Sequence, residues 1–347
     1  MKKIKIKDKF VGEGESCFII AEAGVNHNGD IRLAKKLIDV AKKAGADAVK
    51  FQTFHTEELV SKSTEKAEYQ IWAKEKTQHE MLKRLELSFN DFRELKKYCD
   101  KKSIEFFSTP YDVESVIFLN EIGVKRFKIA SADLVNKPLI EAVAKTKKQI
   151  ILSTGMANLE KIERTISLIN AFGNRDIVIL HCTTSYPTPC SQVNLNTLSL
   201  LKEKFDLPVG YSDHTLGIEI PIMAVSLGAK VIEKHFTLNR KMEGPDHFIS
   251  LEPNELKKMI KAIRNVEEAF GSKKKEINPE EKKNIFFMRR SIHASRHIKK
   301  GEIIKESNVK ITRPFDGIEP WFLDKMLGKK AKISIKKDKP IKWRHLL

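Results

Sequence analysis

The feature that most narrows what this chain can become is a unit repeated eight times, a short apolar run followed by a stretch of helical periodicity. The runs fall at Cys17–Ala23, Ala48–Phe54, Ile104–Pro110, Arg126–Ser131, Gln149–Thr154, Ile177–Thr183, Pro208–Ser212 and Val231–Thr237. Between most of them apolar residues recur at helical spacing, as in Ile31–Ala44, Phe89–Lys101, Leu159–Ala171 and Ile218–Leu227. Gly45, Gly123, Gly173 and Gly228 stand where those helices should stop. Strands that read as continuous apolar runs are buried on both faces, as in a parallel sheet clad by helices. Eight such units predict an α/β chain whose main body is a (β/α)8 TIM barrel. An open doubly wound sheet is the alternative, weakened because no G-x-G-x-x-G follows the first strand.

A barrel takes roughly 250 residues, so the 347 present leave room for one small further domain. The reading divides the chain into a barrel over 1–271, a linker over 272–288 and a C-terminal unit over 289–347. The linker begins at the polar stretch Gly271-Ser272-Lys273-Lys274-Lys275-Glu276, and short strands and turns follow it. After the second strand an insertion, Thr56 to Leu87, exceeds what a βα loop needs. Long loops at strand exits usually serve the active site, so its Tyr69 and Gln70 are candidate substrate contacts.

No signal-like segment and no apolar run of membrane-spanning length is present, and Cys17, Cys99, Cys182 and Cys190 lack disulfide or zinc-finger spacing. A cytoplasmic location with reduced thiols is expected. The net charge is +18, and from Ser272 onward 22 Lys and Arg face only 9 Asp and Glu. That excess fits a solvated surface or a basic unit covering an anionic substrate. Nucleic acid ranks last, because aromatic residues do not interleave with the basic ones.

The strand ends carry the chemistry. They hold Glu22 through Asp30, Lys50 and Gln52, Ser108-Thr109-Pro110, Lys128 and Ser131, Ser153-Thr154-Gly155, Thr183 through Tyr186, Ser212-Asp213-His214, and Glu233-Lys234-His235. A barrel gathers its strand exits into one ring, so these distant residues should converge. Lys50 and Lys128 with Thr109, Ser131, Ser153 and Ser212 offer two cations and four hydroxyls, suited to phosphate or carboxylate oxygens. His214 and His235 either hold one metal or sit as hydrogen-bonded core residues, and Asp213 and Asp246 could add oxygens nearby. Glu22 is the candidate acid or base. His27 and His55 are expected to shape the pocket.

Taken together, Glu22 to Asp30, Val49-Lys-Phe-Gln-Thr53, Phe107-Ser-Thr-Pro110, Ser153-Thr-Gly-Met156, His181-Cys-Thr-Thr184 with Tyr186-Pro-Thr-Pro189, Gly210-Tyr-Ser-Asp-His214, Glu233-Lys-His-Phe-Thr237 and Gly244-Pro-Asp-His247 closely resemble bacterial sialic acid synthases. The segment from Arg290 onward resembles that family's antifreeze-like SAF (β-clip) domain. The resemblance implies a domain-swapped homodimer in which each SAF domain caps the partner's barrel. It also implies a condensation of phosphoenolpyruvate with an N-acetylated amino sugar, C–O cleavage and release of phosphate. N-acetylmannosamine, giving N-acetylneuraminate, is the first substrate expected. A 2,4-diacetamido-2,4,6-trideoxymannose giving N,N'-diacetyllegionaminate is the alternative, and pseudaminate synthesis ranks below both. By the same resemblance Glu22, Lys50, Asp246 and Arg313 serve catalysis. Gln52, Thr109, Lys128, Ser131, Asp133, Ser153, Thr184, Tyr186 and Ser212 bind substrate. His214 and His235 hold a divalent ion, Mn²⁺ with Mg²⁺ or Co²⁺ as alternatives. Three places depart from the family pattern: Ser131-Ala132-Asp133 stands for Ser-Gly-Glu, Arg313-Pro314-Phe315-Asp316-Gly317 for Arg-Pro-Gly-Asn-Gly, and Thr184 where some relatives have Asn. No membrane or nucleic-acid partner is implied.

Overall fold

A computed structural model describes residues 4–6 and 9–347, and of residues 4–6, 9, 69 and 72 it describes the backbone only. All eight apolar runs become parallel strands: β3 (Phe18–Gly24), β4 (Ala48–Thr53), β5 (Glu105–Pro110), β6 (Arg126–Ile129), β7 (Gln149–Ser153), β8 (Ile177–Cys182), β9 (Val209–Asp213) and β10 (Val231–His235). Hydrogen bonding runs in the order β5-β4-β3-β10-β9-β8-β7-β6. The two end strands, β5 and β6, also neighbour each other, and the sheet becomes a near-closed TIM-like barrel. A short antiparallel pair, β1 (Ile4–Ile6) with β2 (Lys9–Val11), precedes it.

Alternation along each strand explains both core and site. Phe18, Ile20, Ala48, Phe107, Ile151, Val178, Leu180 and Val231 point inward and fill the barrel near the strand starts, joined by Val11. Their neighbours Ile19, Ala21, Val49, Phe51, Phe106, Phe127, Ile150, Leu152, Ile179 and Ile232 point outward and meet the helices. Continuing the inward series toward the strand exits replaces apolar side chains by Glu22, Lys50, Thr109, Lys128, Ser153, Ser212, Glu233 and His235. One physical period therefore sets an apolar plug beneath a polar floor.

The helices take the predicted limits closely, with Ile31–Ala44 and Leu159–Ala171 as read from the sequence. Gly45 ends the first of these at φ 92°, a left-handed conformation that a residue with a Cβ rarely adopts. The insertion after β4 is more ordered than a polar loop. It contains the helix Gln78–Leu85 and packs Ala73, Met81 and Leu85 on Val25 and Phe54 as a separate small core.

Residues Met1–Gly271 and Ser272–Leu347 form two compact units. In the second, β11 (Ser291–Ala294) pairs antiparallel with β12 (Val309–Thr312), and isolated bridges such as Ile298–Ile335 and Ala331–Leu346 extend the pattern. Ile292, Ala294, Ile298, Ile304, Ile318, Met326, Ala331, Ile335 and Ile341 make its core. The expected linker is not all extended chain, since Pro279–Met288 is a helix. Asn278 caps it: its side-chain oxygen accepts from Glu281 N at 2.8 Å, and the Glu281 carboxylate accepts from Asn278 N at 3.1 Å.

Candidate active site

A cavity of about 870 Å³ opens at the strand exits. Its wall includes Glu22, Lys50, Gln52, Thr109, Lys128, Ser131, Ser153, Thr184, Tyr186, Ser212, His214, His235 and Asp246. These come from all eight strands and the loops that follow them, because parallel strands all exit on one side.

At the floor lie four charges with almost no solvent contact. Lys50 Nζ is 2.9 Å from Glu22 Oε2 and 3.6 Å from Glu233 Oε1, and it donates to Thr109 Oγ1 at 2.9 Å. Lys128 Nζ is 3.3 Å from the same Glu233 oxygen, which also accepts from Ser212 Oγ at 3.2 Å. Burial pushes the Glu22 carboxyl up to about 7, with Glu233 adding to the rise and Lys50 opposing it. Burial also acts against charge on Glu233, but Lys128 and Lys50 prevail and hold its carboxyl below the usual range. Burial lowers Lys128, whereas for Lys50 the two glutamates outweigh burial and raise it. Two glutamates in one pocket thus differ: Glu22 can carry or release a proton near neutrality, and Glu233 stays charged.

The histidines lie along one side. Their ring centroids are 5.6 Å apart, and the Tyr186 ring packs against His214 at 4.2 Å, tilted by 41°. His214 Nδ1 sits 2.8 Å from the Thr183 carbonyl, so this nitrogen donates, and Nε2 is the nitrogen that offers a lone pair whenever the ring is neutral. Burial opposes its charge, but Cys182 and the Thr183 carbonyl raise it above the usual range. His235 Nδ1 is buried without a hydrogen-bond partner among the described residues, and Asp246 Oδ2 lies 3.8 Å from it. Burial, reinforced by His214, keeps His235 well below the usual imidazole range and therefore neutral. Asp246 is pushed up to about 6 by burial. Among the described residues no three His, Cys, Asp or Glu side chains gather into a complete metal set. A cation here would rest on two imidazoles with positions left over.

Four expected residues, Asp213, Asp133, His27 and His55, lie off the cavity wall. Asp213 does not face the cavity. It follows Ser212 on β9 and so points outward, where it forms a buried pair with Lys234 at 2.6 Å and accepts from Tyr211 and Thr215. Asp133 is not on the cavity wall either. It sits in the 3-10 turn Ala132–Val135, where its Oδ1 accepts from Asn136 Nδ2 at 3.0 Å. His27 and His55 are likewise absent from the wall: His27 Nδ1 accepts from Gly29 N, and His55 stands between Glu86 and Glu114. Arg313 belongs to the second unit, where its Nε donates to the Met288 carbonyl at 2.8 Å. Gln70 lines the cavity, while the Tyr69 side chain lies outside the described residues. Glu233 is placed in the ring by sequence but given no role of its own. Its spacing of two from His235 was the available signal.

A polar, charge-balanced pocket at the open end of a parallel barrel is the setting of a barrel enzyme that handles small polar molecules. The chain belongs to the NeuB family, which matches residues 37–275, and residues 289–347 match the SAF domain. It is 48% identical to the N,N'-diacetyllegionaminic acid synthase of Campylobacter jejuni, over 93% of this chain and 98% of that one. It is 35% identical to the human N-acetylneuraminate-9-phosphate synthase, over 96% of this chain and 93% of that one. Among solved structures, the N-acetylneuraminic acid synthetase of Leptospira borgpetersenii in complex with citrate matches with a TM-score of 0.74 at 39% identity, covering 82% of this chain and 95% of that chain. The relatives' names are those of sugar-acid synthases, and the sialic acid synthase resemblance and the SAF domain both stand.

Proposed function

We propose that the enzyme condenses phosphoenolpyruvate with an open-chain N-acetylated amino sugar and releases phosphate. The observation that carries this is the buried floor, where Lys50 and Lys128 stand among Thr109, Ser131, Ser153 and Ser212. Two fixed cations and four hydroxyls match a small molecule bearing a phosphate and a carboxylate. Gln52, Thr184, Tyr186 and Asp246 lie around the same cavity and serve the sugar. Arg313 reaches the sugar of a partner's barrel in a domain-swapped homodimer, and the enzyme acts in the cytoplasm.

The sugar we favour is 2,4-diacetamido-2,4,6-trideoxymannose, which yields N,N'-diacetyllegionaminate. Similarity to the legionaminic acid synthase exceeds that to the human enzyme by 48% to 35%. The cavity also carries an apolar side of Val25, Leu59, Met81, Leu82 and Phe248, suited to acetamido methyls and a deoxy methyl group. N-acetylmannosamine, the first expectation from sequence, is the second reading, supported by the 39% identity to the Leptospira synthetase.

In the reaction, Lys50, Lys128 and the hydroxyls hold the phosphate and carboxylate of phosphoenolpyruvate. Carbon 3 forms a bond to the sugar's aldehyde carbon, whose oxygen takes up a proton to become a hydroxyl. Water adds at carbon 2 and loses its protons, and the bond from carbon 2 to the phosphate oxygen breaks, leaving a ketone and inorganic phosphate. His214 and His235 would hold a divalent ion, Mn²⁺ or else Mg²⁺ or Co²⁺, which when bound would supply Lewis-acid polarisation of the aldehyde. The orphaned, neutral His235 and the Nε2 lone pair of His214 support that assignment. Glu22 accepts the proton of the attacking water, a role that suits a carboxyl poised near neutrality.

The test is phosphate release and product mass with purified protein, phosphoenolpyruvate and Mn²⁺, offering the two sugars in parallel with an EDTA control. EDTA-sensitive release with the diacetamido sugar, and a product of matching mass, supports the reading. Release only with N-acetylmannosamine transfers it to the second sugar, and release with neither overturns it.

A further inference from the structure

Glu233 is an odd presence in a pocket meant for a polyanion. Its carboxylate stands between the two lysines that should bind substrate oxygens, and its side chain is only 6% exposed. The contacts it makes are loose for charge-assisted bonds, at 3.3 Å to Lys128 Nζ and 3.6 Å to Lys50 Nζ. Glu22, by contrast, holds Lys50 at 2.9 Å. Glu233 uses one oxygen for both lysines and for Ser212, while Oε2 is buried with no hydrogen-bond partner among the described residues. That free oxygen faces a pocket whose two lysines are held loosely by its partner oxygen, so the carboxylate is not locked to either cation.

We infer that Glu233 is a resident counter-anion: it compensates Lys50 and Lys128 while the floor is empty, yields them to the substrate's oxygens, and then competes for them again so that phosphate leaves. The inference rests on the reading of these lysines as the anion site. Without Glu233, two buried ammonium groups would share Glu22 alone, and any small anion would bind there in its place. The residue thus trades strength of anion binding for release of the inorganic product. Glu233 positions the lysines' charge and is assigned no bond-making step.

The test compares wild type with Glu233→Gln, Glu233→Asp and Lys128→Ala, using inorganic phosphate as the probe. Phosphate affinity is measured by calorimetry and by competition against phosphoenolpyruvate. For Glu233→Gln we expect phosphate to bind about tenfold more tightly, as for one charge-assisted contact no longer contested. Its kcat should fall, with phosphate release slowed, while Glu233→Asp returns phosphate affinity toward wild type. Thermal midpoints with and without phosphate give a second readout: the Gln variant should gain far more from phosphate than wild type does. Unchanged or weaker phosphate binding in Glu233→Gln, with Lys128→Ala still losing it, overturns the role of Glu233 alone. Phosphate binding that Lys128→Ala leaves intact overturns the anion-site reading beneath it.

Discussion

Replacing Asp213 by Asn separates two accounts of a carboxylate beside a histidine. From sequence Asp213 could add an oxygen to a cation at His214, whereas the structure turns it away into a buried pair with Lys234. The two side chains are 0% and 1% exposed, and the 2.6 Å contact is the main compensation for the Lys234 charge apart from the Thr215 carbonyl. Removing one partner of a buried pair costs about 3–5 kcal/mol, because the other charge is stranded. At about 2–3 °C per kcal/mol for a unit of this size, the thermal midpoint should fall by roughly 6–15 °C. Lys234→Met should cost less, about 2–3 kcal/mol, since Tyr211 and the Thr215 N–H and hydroxyl still donate to the carboxylate. The double variant should recover most of the loss. Differential scanning calorimetry on metal-free protein measures all three, with Mn²⁺ titrations alongside. An Asp213→Asn protein that keeps its midpoint but loses Mn²⁺ affinity would refute the reasoning.

Glu22→Gln should lower kcat by about 10²–10⁴-fold while the KM for phosphoenolpyruvate stays within a few-fold, as steady-state kinetics will show. Under the proposed role as base Glu22 acts deprotonated, and burial pushes it up to about 7, so wild-type kcat/KM should rise between pH 6 and 8 and then level, and a flat profile would count against it. His235→Ala should abolish measurable Mn²⁺ binding in calorimetry at concentrations that saturate wild type. Gly210→Ala should destabilise the barrel by about 3 kcal/mol in urea unfolding, because its Cβ would meet the Val231 carbonyl at 2.4 Å and Leu180 Cδ2 at 2.6 Å.

The barrel was legible because parallel strands buried on both faces leave apolar runs that nothing else in the chain imitates. The ring of site residues was legible for the same reason, since a strand's end is easy to find once the strand is found. What failed was the facing of particular residues. Ser212-Asp213-His214 and Glu233-Lys234-His235 read as blocks of polar residues, although strand alternation sends Ser212, Glu233 and His235 inward and Asp213 and Lys234 outward. Asp133 was assigned through the family resemblance, but the turn after β6 directs its Oδ1 to Asn136 and keeps it off the cavity wall. The helix at Pro279–Met288 was hidden by its charge, though Asn278-Pro279-Glu280-Glu281 is a start signal that needs no apolar periodicity.

The insertion after β4 has its own small core, formed by Ala73, Met81 and Leu85 on Val25 and Phe54, while its Leu59, Met81 and Leu82 face the cavity. The charged and hydroxyl side chains of the cavity stand mostly on strands, and much of its apolar wall stands on this graft. On the proposed reading, substitutions confined to the graft would change which sugar is accepted while leaving the strand-borne groups in place.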